Sequence, residues 1–231
     1  MSKRKTSYWS APDTIARYGA VKKLLEGEFL GKDKVKILDL GGGALGLAEF
    51  LPEKFEVTIA DLDEGLVAQA KKNGLNAVKA DGASLPFKES EFDAAVSVAS
   101  LEHVPKEKRT AYCSELKRVS KKAVVVYVPS GRAAAFADKF LFHYRKVLGV
   151  KDNWTGEHIK QGLPSEAELL QWFPDAKIKR IQNVLVWIGS MKAMNIPYLN
   201  SFLPGLVNGV LFFFQLLPPY YGRVLFWRKS A

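Results

Sequence analysis

Three consecutive glycines, Gly41-Gly42-Gly43, follow the apolar run from Val35 to Leu40, and a carboxylate, Asp39, stands two positions before the first of them. Glycines remove the Cβ atoms that would hold a ligand away from the backbone. The residues after them, Ala44 to Leu51, read as a helix stopped by Pro52, whose free N–H groups face the same place. A strand ending in such a loop is where open α/β sheets put nucleotide-type cofactors. Gly41, Gly43 and Gly46 satisfy G-x-G-x-x-G, and Asp61 lies 20 residues beyond Gly41 at the end of the next apolar run. That spacing alone describes a dinucleotide site.

Asp39 separates the candidate cofactors. A pyrophosphate is repelled by a carboxylate pointing into its loop, whereas a cofactor carrying an ammonium is drawn to it. S-adenosylmethionine carries an ammonium and a sulfonium and no phosphate. The Asp-x-Gly-x-Gly arrangement therefore favours it over a nicotinamide dinucleotide. The other reactive side chains are few. His103, His143 and His158 are scattered without ligand spacing and Cys113 shares a helix face with Tyr112, Leu116 and Val119, so no metal site is expected. The same face makes Cys113 a buried structural thiol rather than a nucleophile.

The elements that must position these residues alternate strand and helix. Asp13 is placed to cap a helix from Thr14 to about Glu28, with Ile15, Tyr18, Val21, Leu25 and Phe29 at helical spacing. Strands are expected at 35–40, 55–60, 77–80, 92–98 and 123–128, with helices from Asp63 to Asn73-Gly74 and from Lys106 to Ser120. Beyond Pro129 come a helix from Ala133 to Leu148, a polar loop holding Trp154 and His158, and a short helix capped by Ser165. Lys177 to about Trp187 reads as a sixth strand and Val224 to Arg228 as a seventh, with residues 191–221 inserted between them. The expected fold is α/β: a doubly wound, mostly parallel, Rossmann-like sheet of seven strands with a helical C-terminal insertion. Its organisation is one domain over 1–231, made of an N-terminal helix or lid (1–34), a cofactor-binding core (35–130) and a substrate-side region (131–231).

Composition narrows the setting. A hydrophobic fraction of 48% with five tryptophans supports a packed core, and a single cysteine leaves no internal disulfide and suits a reducing cytoplasm. The basic opening is not followed by an apolar run, so no secretory signal is expected. The net charge is +10, and from Ala176 to Ala231 seven basic residues stand with no Asp or Glu. They bracket the most apolar stretch, Phe202 to Leu217, which favours contact with an anionic membrane surface over a nucleic acid. At 16 residues, interrupted by Pro204, Asn208 and Gln215, that stretch is shorter than the ~20 residues a membrane span needs. A buried lid helix and an interfacial helix both remain open.

The run of motifs resembles the class I S-adenosylmethionine-dependent methyltransferases of the type-11 kind. It comprises Ile37-Leu38-Asp39-Leu40-Gly41-Gly42-Gly43, the strand-end Asp61, Asp81-Gly82-Ala83-Ser84-Leu85-Pro86-Phe87, Phe92-Asp93-Ala94-Ala95-Val96-Ser97, Leu101-Glu102-His103-Val104 and Arg118-Val119. The family pattern commonly has a third glycine where Leu45 stands, here displaced to Gly46, and Ser120-Lys121-Lys122 replaces a usual glycine pair. The resemblance, covering roughly 35–130, implies roles. Asp39 would hold the ammonium end through a water or backbone relay, while Gly41, Gly42 and Gly43 let the backbone approach the methionine moiety. Asp61, with Leu62 beside it, would take the ribose hydroxyls; Asp63 is the competing candidate, but its place two residues on makes it the better helix N-cap. Asp81, Gly82 and Ala83 would meet the adenine, and the segment from Ser97 and Val98 to Ser100 would line the floor near the methyl group. His103 is the best candidate for a general base, with packing in its loop as the alternative. His158 could reach the pocket from the inserted region, with a surface polar residue as the safer reading, and Tyr8, Trp9 and Tyr18 form a candidate lid, with core packing as the alternative for Tyr18.

The function implied is methyl transfer to a small-molecule or lipid-linked acceptor, in the cytoplasm or at a membrane surface through the C-terminal region. An RNA or protein methyltransferase is the runner-up on the same fold. A nicotinamide-dependent oxidoreductase and a non-catalytic cofactor-binding protein are the alternatives of other classes.

Overall fold

The structure is a computed structural model that describes residues 12–151, 154–193 and 217–229. Tyr8, Trp9 and residues 202–216 of the apolar run lie outside them. Seven strands, β1 (Val35–Leu40), β2 (Phe55–Asp61), β3 (Asn76–Lys79), β4 (Phe92–Val98), β5 (Ser120–Pro129), β6 (Lys177–Asn183) and β7 (Tyr220–Arg228), form one sheet in the order β3-β2-β1-β4-β5-β7-β6. The first five are parallel, with Ile37 opposite Val57 and Ala94. β7 runs antiparallel to both its neighbours, Tyr127 of β5 facing Val224 on one side and Lys179 of β6 facing it on the other, so β6 points the same way as the first five. The expected mostly parallel, seven-stranded, doubly wound sheet is present.

Strand order reverses between β1 and β4, which leads to β2 on one side and β5 on the other. At such a switch point the connections leave in opposite directions and open a crevice at the carboxyl ends of the strands. Leu40 and Val98 therefore deliver the glycine loop and the segment 99–104 to the same place. The strands beneath are covered on both faces: Val124, Val126 and Val128 point to one cluster and Val125 and Tyr127 to the other. Such double burial is why four of the six residues from Ala123 to Val128 are valine.

Helices close the two faces. On one lie α3 (Lys106–Val119) and α6 (Glu166–Trp172), packed through Leu116, Val119, Leu169 and Phe173. On the other lies α1 (Pro12–Glu28), burying Tyr18, Val21 and Leu25. Helix α2 (Glu64–Lys72) covers β2 and β3 through Val67 and Ala70. Over the crevice stand α4 (Arg132–Val147), α5 (Trp154–Gln161) and α7 (Val184–Ala193). Ala137, Leu141, Trp187, Met191 and Tyr221 form a separate apolar cluster there.

Local signals decided several of these boundaries. Asp63 caps α2, accepting from Leu66 N at 3.0 Å, and Gly74 ends it at φ +80. Ser165 and Glu168 make a capping box at the start of α6. Cys113 is buried, and burial pushes its thiol up to about 12, as a structural thiol requires.

Four expectations are corrected. Residues 44–51 do not form a regular helix: only Gly46–Glu49 make a 3-10 turn, because Gly41, Gly43 and Gly46 all take left-handed φ (+78, +64, +51). The sixth strand stops at Asn183, whose Oδ1 accepts from Leu185 N and Val186 N and starts α7 inside the stretch read as strand. The segment with Trp154 and His158 is helix α5, not a loop. Helix α1 runs from Pro12, so Asp13 falls in its first turn and pairs with Arg17 rather than capping.

Candidate active site

Asp39 lies beneath the glycine loop and organises it from below. It is 1% exposed, and its Oδ2 accepts from Leu47 N at 2.6 Å. Gly42 and Gly46 pack directly on the carboxylate, where a Cβ at either would strike it. Burial, with the nearby Asp61 charge adding and the Leu47 N–H opposing, raises its pKa to about 6. Leu45 keeps an ordinary negative φ while Gly46 is left-handed, so the displaced glycine sits where the loop needs one.

Asp61 stands at the rim above. Its Oδ2 accepts from Gly43 N at 3.0 Å and its Oδ1 from Asp63 N at 2.9 Å. One N–H per oxygen leaves each a lone pair for a hydroxyl. Two connected cavities meet along Gly41, Asp61, Leu66, Ala99 and His103. The first, about 740 Å³, holds Leu62, Asp81, Gly82, Ser100 and Lys108. The second, about 530 Å³, holds Gly42, Gly43, Val98, Glu102, His103 and His158, with an aromatic wall of Tyr18, Tyr127, Trp154, Trp187 and Tyr221.

The structure thus brings Asp61, Leu62, Asp81, Gly82, Gly41, Gly42, Gly43, Val98 and His103 to one crevice. Asp81 accepts from Ala83 N at 2.9 Å and from Lys108 Nζ at 2.9 Å, and these contacts hold its carboxyl below the usual range. An adenine amine would share that exposed carboxylate with the lysine. Ala83 contributes its backbone to this turn and is not on the cavity wall. Ser97 is not on the floor: it is fully buried and its Oγ bonds Tyr112 OH at 2.9 Å. The Tyr112 ring in turn lies where a Cβ at Gly82 would sit.

Ala99 takes φ +54, a left-handed conformation that costs an alanine about 1 kcal/mol or more. It turns the chain out of β4 into a 3-10 turn (Leu101–His103) and presents Glu102 and His103 to the second cavity. Buried Arg109 fixes that turn, donating to Val104 O at 3.0 Å, Glu102 O at 3.2 Å and Gly162 O at 2.7 Å at the end of α5. His103 Nδ1 lies 2.6 Å from Glu157 Oε2.

Of the two readings of His158, the structure has the one that reaches the pocket and not the surface one, and the histidines are not all scattered. His158 is 4% exposed, its Nδ1 is 2.9 Å from Asp138 Oδ2, and its Nε2 is 3.4 Å from His103 Nε2. Burial pulls its pKa down, but the Asp138 hydrogen bond and the Glu102 charge outweigh this and raise it. Asp138 Oδ1 also accepts from Tyr221 OH at 2.7 Å. Burial likewise raises the Glu102 carboxyl, against the pull of His158 and His103. Glu102, Asp138 and Glu157 were missed from sequence, because their meeting is made by packing between distant elements. His143, the third histidine, stays apart on α4, its Nδ1 against Lys139 O.

The acid-free C-terminal quarter is less bare of partners than its sequence implies. Arg180 and Arg223 pair with Glu166, Arg228 with Glu28 and Lys229 with Glu89. Among the described residues no helix is long and apolar enough to cross a membrane.

Residues 37–123 match the family model described as a methyltransferase domain. A search of curated proteins finds no match. Among solved structures, a magnesium protoporphyrin IX methyltransferase from Synechocystis, crystallised with S-adenosylhomocysteine, aligns with a TM-score of 0.55 at 17% identity, over 92% of this chain and 82% of that one. A possible histamine N-methyltransferase from Thermotoga maritima aligns at 0.54 and 17% identity, over 96% and 94%. A putative methyltransferase from Haloferax volcanii, in complex with the Trm112 activator, aligns at 0.57 and 13% identity, over the whole of both chains. At these identities the likeness is one of fold. The fold is that of the class I, Rossmann-like methyltransferases. The methyltransferase-domain match over residues 37–123 falls on the strands and loops that build this crevice, and the methyl donor of that class is S-adenosylmethionine.

The crevice fits that donor. Asp61 offers paired acceptors at a strand end, Leu62 and Leu66 offer apolar surface beside it, and the glycine loop admits a ligand to its backbone. When bound, S-adenosylmethionine supplies an already activated methyl group on a sulfonium.

Proposed function

We propose that this protein transfers the methyl group of S-adenosylmethionine to a small-molecule or lipid-linked acceptor held in the aromatic cavity, with the nucleophilic atom beside His103. The observation that carries the reading is the division of the crevice. One cavity has the acids suited to ribose and adenine, the other is walled by tyrosine and tryptophan, and His103 borders both. A concave, aromatic-walled site of about 530 Å³ with a few polar groups suits a small, largely apolar molecule.

Because the sulfonium is activated, the chain's main task is to hold donor and acceptor in line. Where the acceptor is a hydroxyl or phenol, its proton must also leave. His103 is the expected base: Glu157 engages Nδ1 and leaves Nε2 toward the cavity's polar end. The RNA or protein reading draws less support, since four of the C-terminal basic residues are already paired with glutamates. The test is to incubate the protein with methyl-tritiated S-adenosylmethionine and a cell extract, then separate small molecules, extractable lipid, RNA and protein. Label in the first two fractions supports the reading, and label confined to RNA or protein overturns it.

Cytoplasmic residence with membrane contact through the C-terminal region belongs to the same proposal. It rests on the apolar run 202–217 within an acid-free stretch. Flotation with anionic liposomes at low salt tests it, and a protein that stays in the soluble fraction makes the run a lid instead.

A further inference from the structure

We propose that Glu102, His103 and His158 bind a divalent first-row transition-metal ion at the polar end of the acceptor cavity. One ligand atom from each of the three lies within 4.8 Å of the others. His103 Nε2 and His158 Nε2 are 3.4 Å apart, and His158 Nε2 is 3.9 Å from Glu102 Oε1. Two metal–nitrogen bonds of about 2.0–2.1 Å at a tetrahedral angle span about 3.4 Å. The two imidazoles already stand at the separation such an ion imposes.

Their orientation points the same way. Each ring turns its Nδ1 into a carboxylate, His103 to Glu157 at 2.6 Å and His158 to Asp138 at 2.9 Å. A carboxylate partner keeps the proton on Nδ1 and leaves a lone pair on Nε2, the carboxylate–histidine–metal arrangement. With the protons on Nδ1, the two Nε2 atoms face each other with a glutamate beside them, an arrangement that a cation between them would stabilise. Glu102 supplies the independent sign. Its side chain is 1% exposed, and Oε2 has no hydrogen-bond partner among the described residues. The carboxylate that approaches His158 Nε2 through Oε1 thus keeps a second, buried oxygen without a partner, a polar group that a cation would satisfy.

Two histidines and one carboxylate select Zn²⁺, Fe²⁺, Co²⁺ or Mn²⁺ over Mg²⁺ or Ca²⁺, which prefer oxygen. All three residues line the aromatic cavity, so a fourth position opens toward the acceptor. Resting on the functional reading above, the ion would take the acceptor's hydroxyl oxygen and lower its pKa, so that the O–H proton passes to solvent. That oxygen's lone pair then forms the C–O bond as the C–S pair returns to sulfur, giving a methyl ether and neutral S-adenosylhomocysteine. His103 then serves as a ligand, and the ion replaces it as the activator of an oxygen nucleophile.

The test is titration of chelator-treated protein with Co²⁺, followed by its visible d–d bands, and with Zn²⁺ by calorimetry. The expected result is one equivalent bound with tetrahedral-type Co²⁺ bands. Affinity should fall at least 100-fold in His103→Asn and His158→Asn and 10- to 100-fold in Glu157→Gln, with S-adenosylhomocysteine binding retained as the check on folding. If a histidine variant does not fold, Glu102→Gln carries the same expectation. Absence of saturable binding in the wild type, or binding unchanged in the folded variants, overturns the proposal. Metal binding with label found only in RNA or protein would sink the functional reading and leave the metal site. Label in small molecules without metal binding would do the reverse.

Discussion

Replacing Gly46 by Ala tests whether Asp39 supports the cofactor loop from below. Two effects add at this position. At φ +51 an alanine pays about 1–2 kcal/mol for the left-handed conformation. Its Cβ would also meet Asp39 Oδ2, with Asp39 Cγ at 3.4 Å and Ile59 Cδ1 at 3.5 Å. Asp39 cannot swing aside at low cost, because it is 1% exposed and Oδ2 holds Leu47 N at 2.6 Å. Breaking a hydrogen bond to a buried charged acceptor costs about 1.5–3 kcal/mol. The total is about 2.5–5 kcal/mol. Gly31 supplies the control: its φ is +75 and nothing lies within 4 Å of an added Cβ, so Gly31→Ala should cost only the conformational part. Urea unfolding of both variants at pH 7.5, with matched m-values, should separate them by about 1.5–3 kcal/mol. The gap should narrow at pH 5, where Asp39 is protonated. A Gly46→Ala variant within about 0.5 kcal/mol of Gly31→Ala at pH 7.5 would refute the support role.

Asp61→Ala should weaken S-adenosylhomocysteine binding by about 100-fold, the loss of two charge-assisted hydrogen bonds, whereas Asp63→Ala should cost about 1 kcal/mol of stability through its cap and leave affinity unchanged. The opposite pattern in calorimetry would move the ribose role to Asp63. Asp39, raised to about 6, is favoured in its ionised form by the cofactor's ammonium, so affinity for S-adenosylmethionine should fall as pH drops below about 6. Its own contribution to stability runs the other way, growing as pH falls from about 6 toward 3.8, and Asp39→Asn should flatten both profiles. Glu166, held down to about 2 by hydrogen bonds from Arg180 and Arg223 against partial burial, contributes stability that is full above about 4.5 and lost as pH falls toward 2. Glu166→Gln should lose about 1–3 kcal/mol at pH 7, after screening, and converge with the wild type near pH 2 in urea unfolding.

What the sequence disclosed was what local chemistry decides. The bounds of β4 and the caps Asp63 and Ser165 follow from apolar runs and side chains that bond their own backbone. The glycine spacing marked the cofactor loop, but its helix was over-read, since three left-handed glycines leave room only for a single tight turn. Apolar composition from Val184 to Trp187 suited strand and helix alike, and the deciding signal, Asn183 as a cap, was present but outweighed by the β-branched run. The polar centre was not legible. His103 and His158 are 55 residues apart and meet only because Ala99 turns left-handed and Arg109 ties the turn of Glu102 to the end of α5. Ser97 was placed by strand position alone, and the inward pleat gave it to Tyr112 instead of the cavity.

The most direct test of the central claim is calorimetry of the wild-type protein with S-adenosylhomocysteine and with NAD. S-adenosylhomocysteine should bind saturably at one site per chain, with binding lost in Asp61→Ala and NAD weaker by at least tenfold. NAD binding as tightly as S-adenosylhomocysteine, or S-adenosylhomocysteine failing to bind at all, would contradict it.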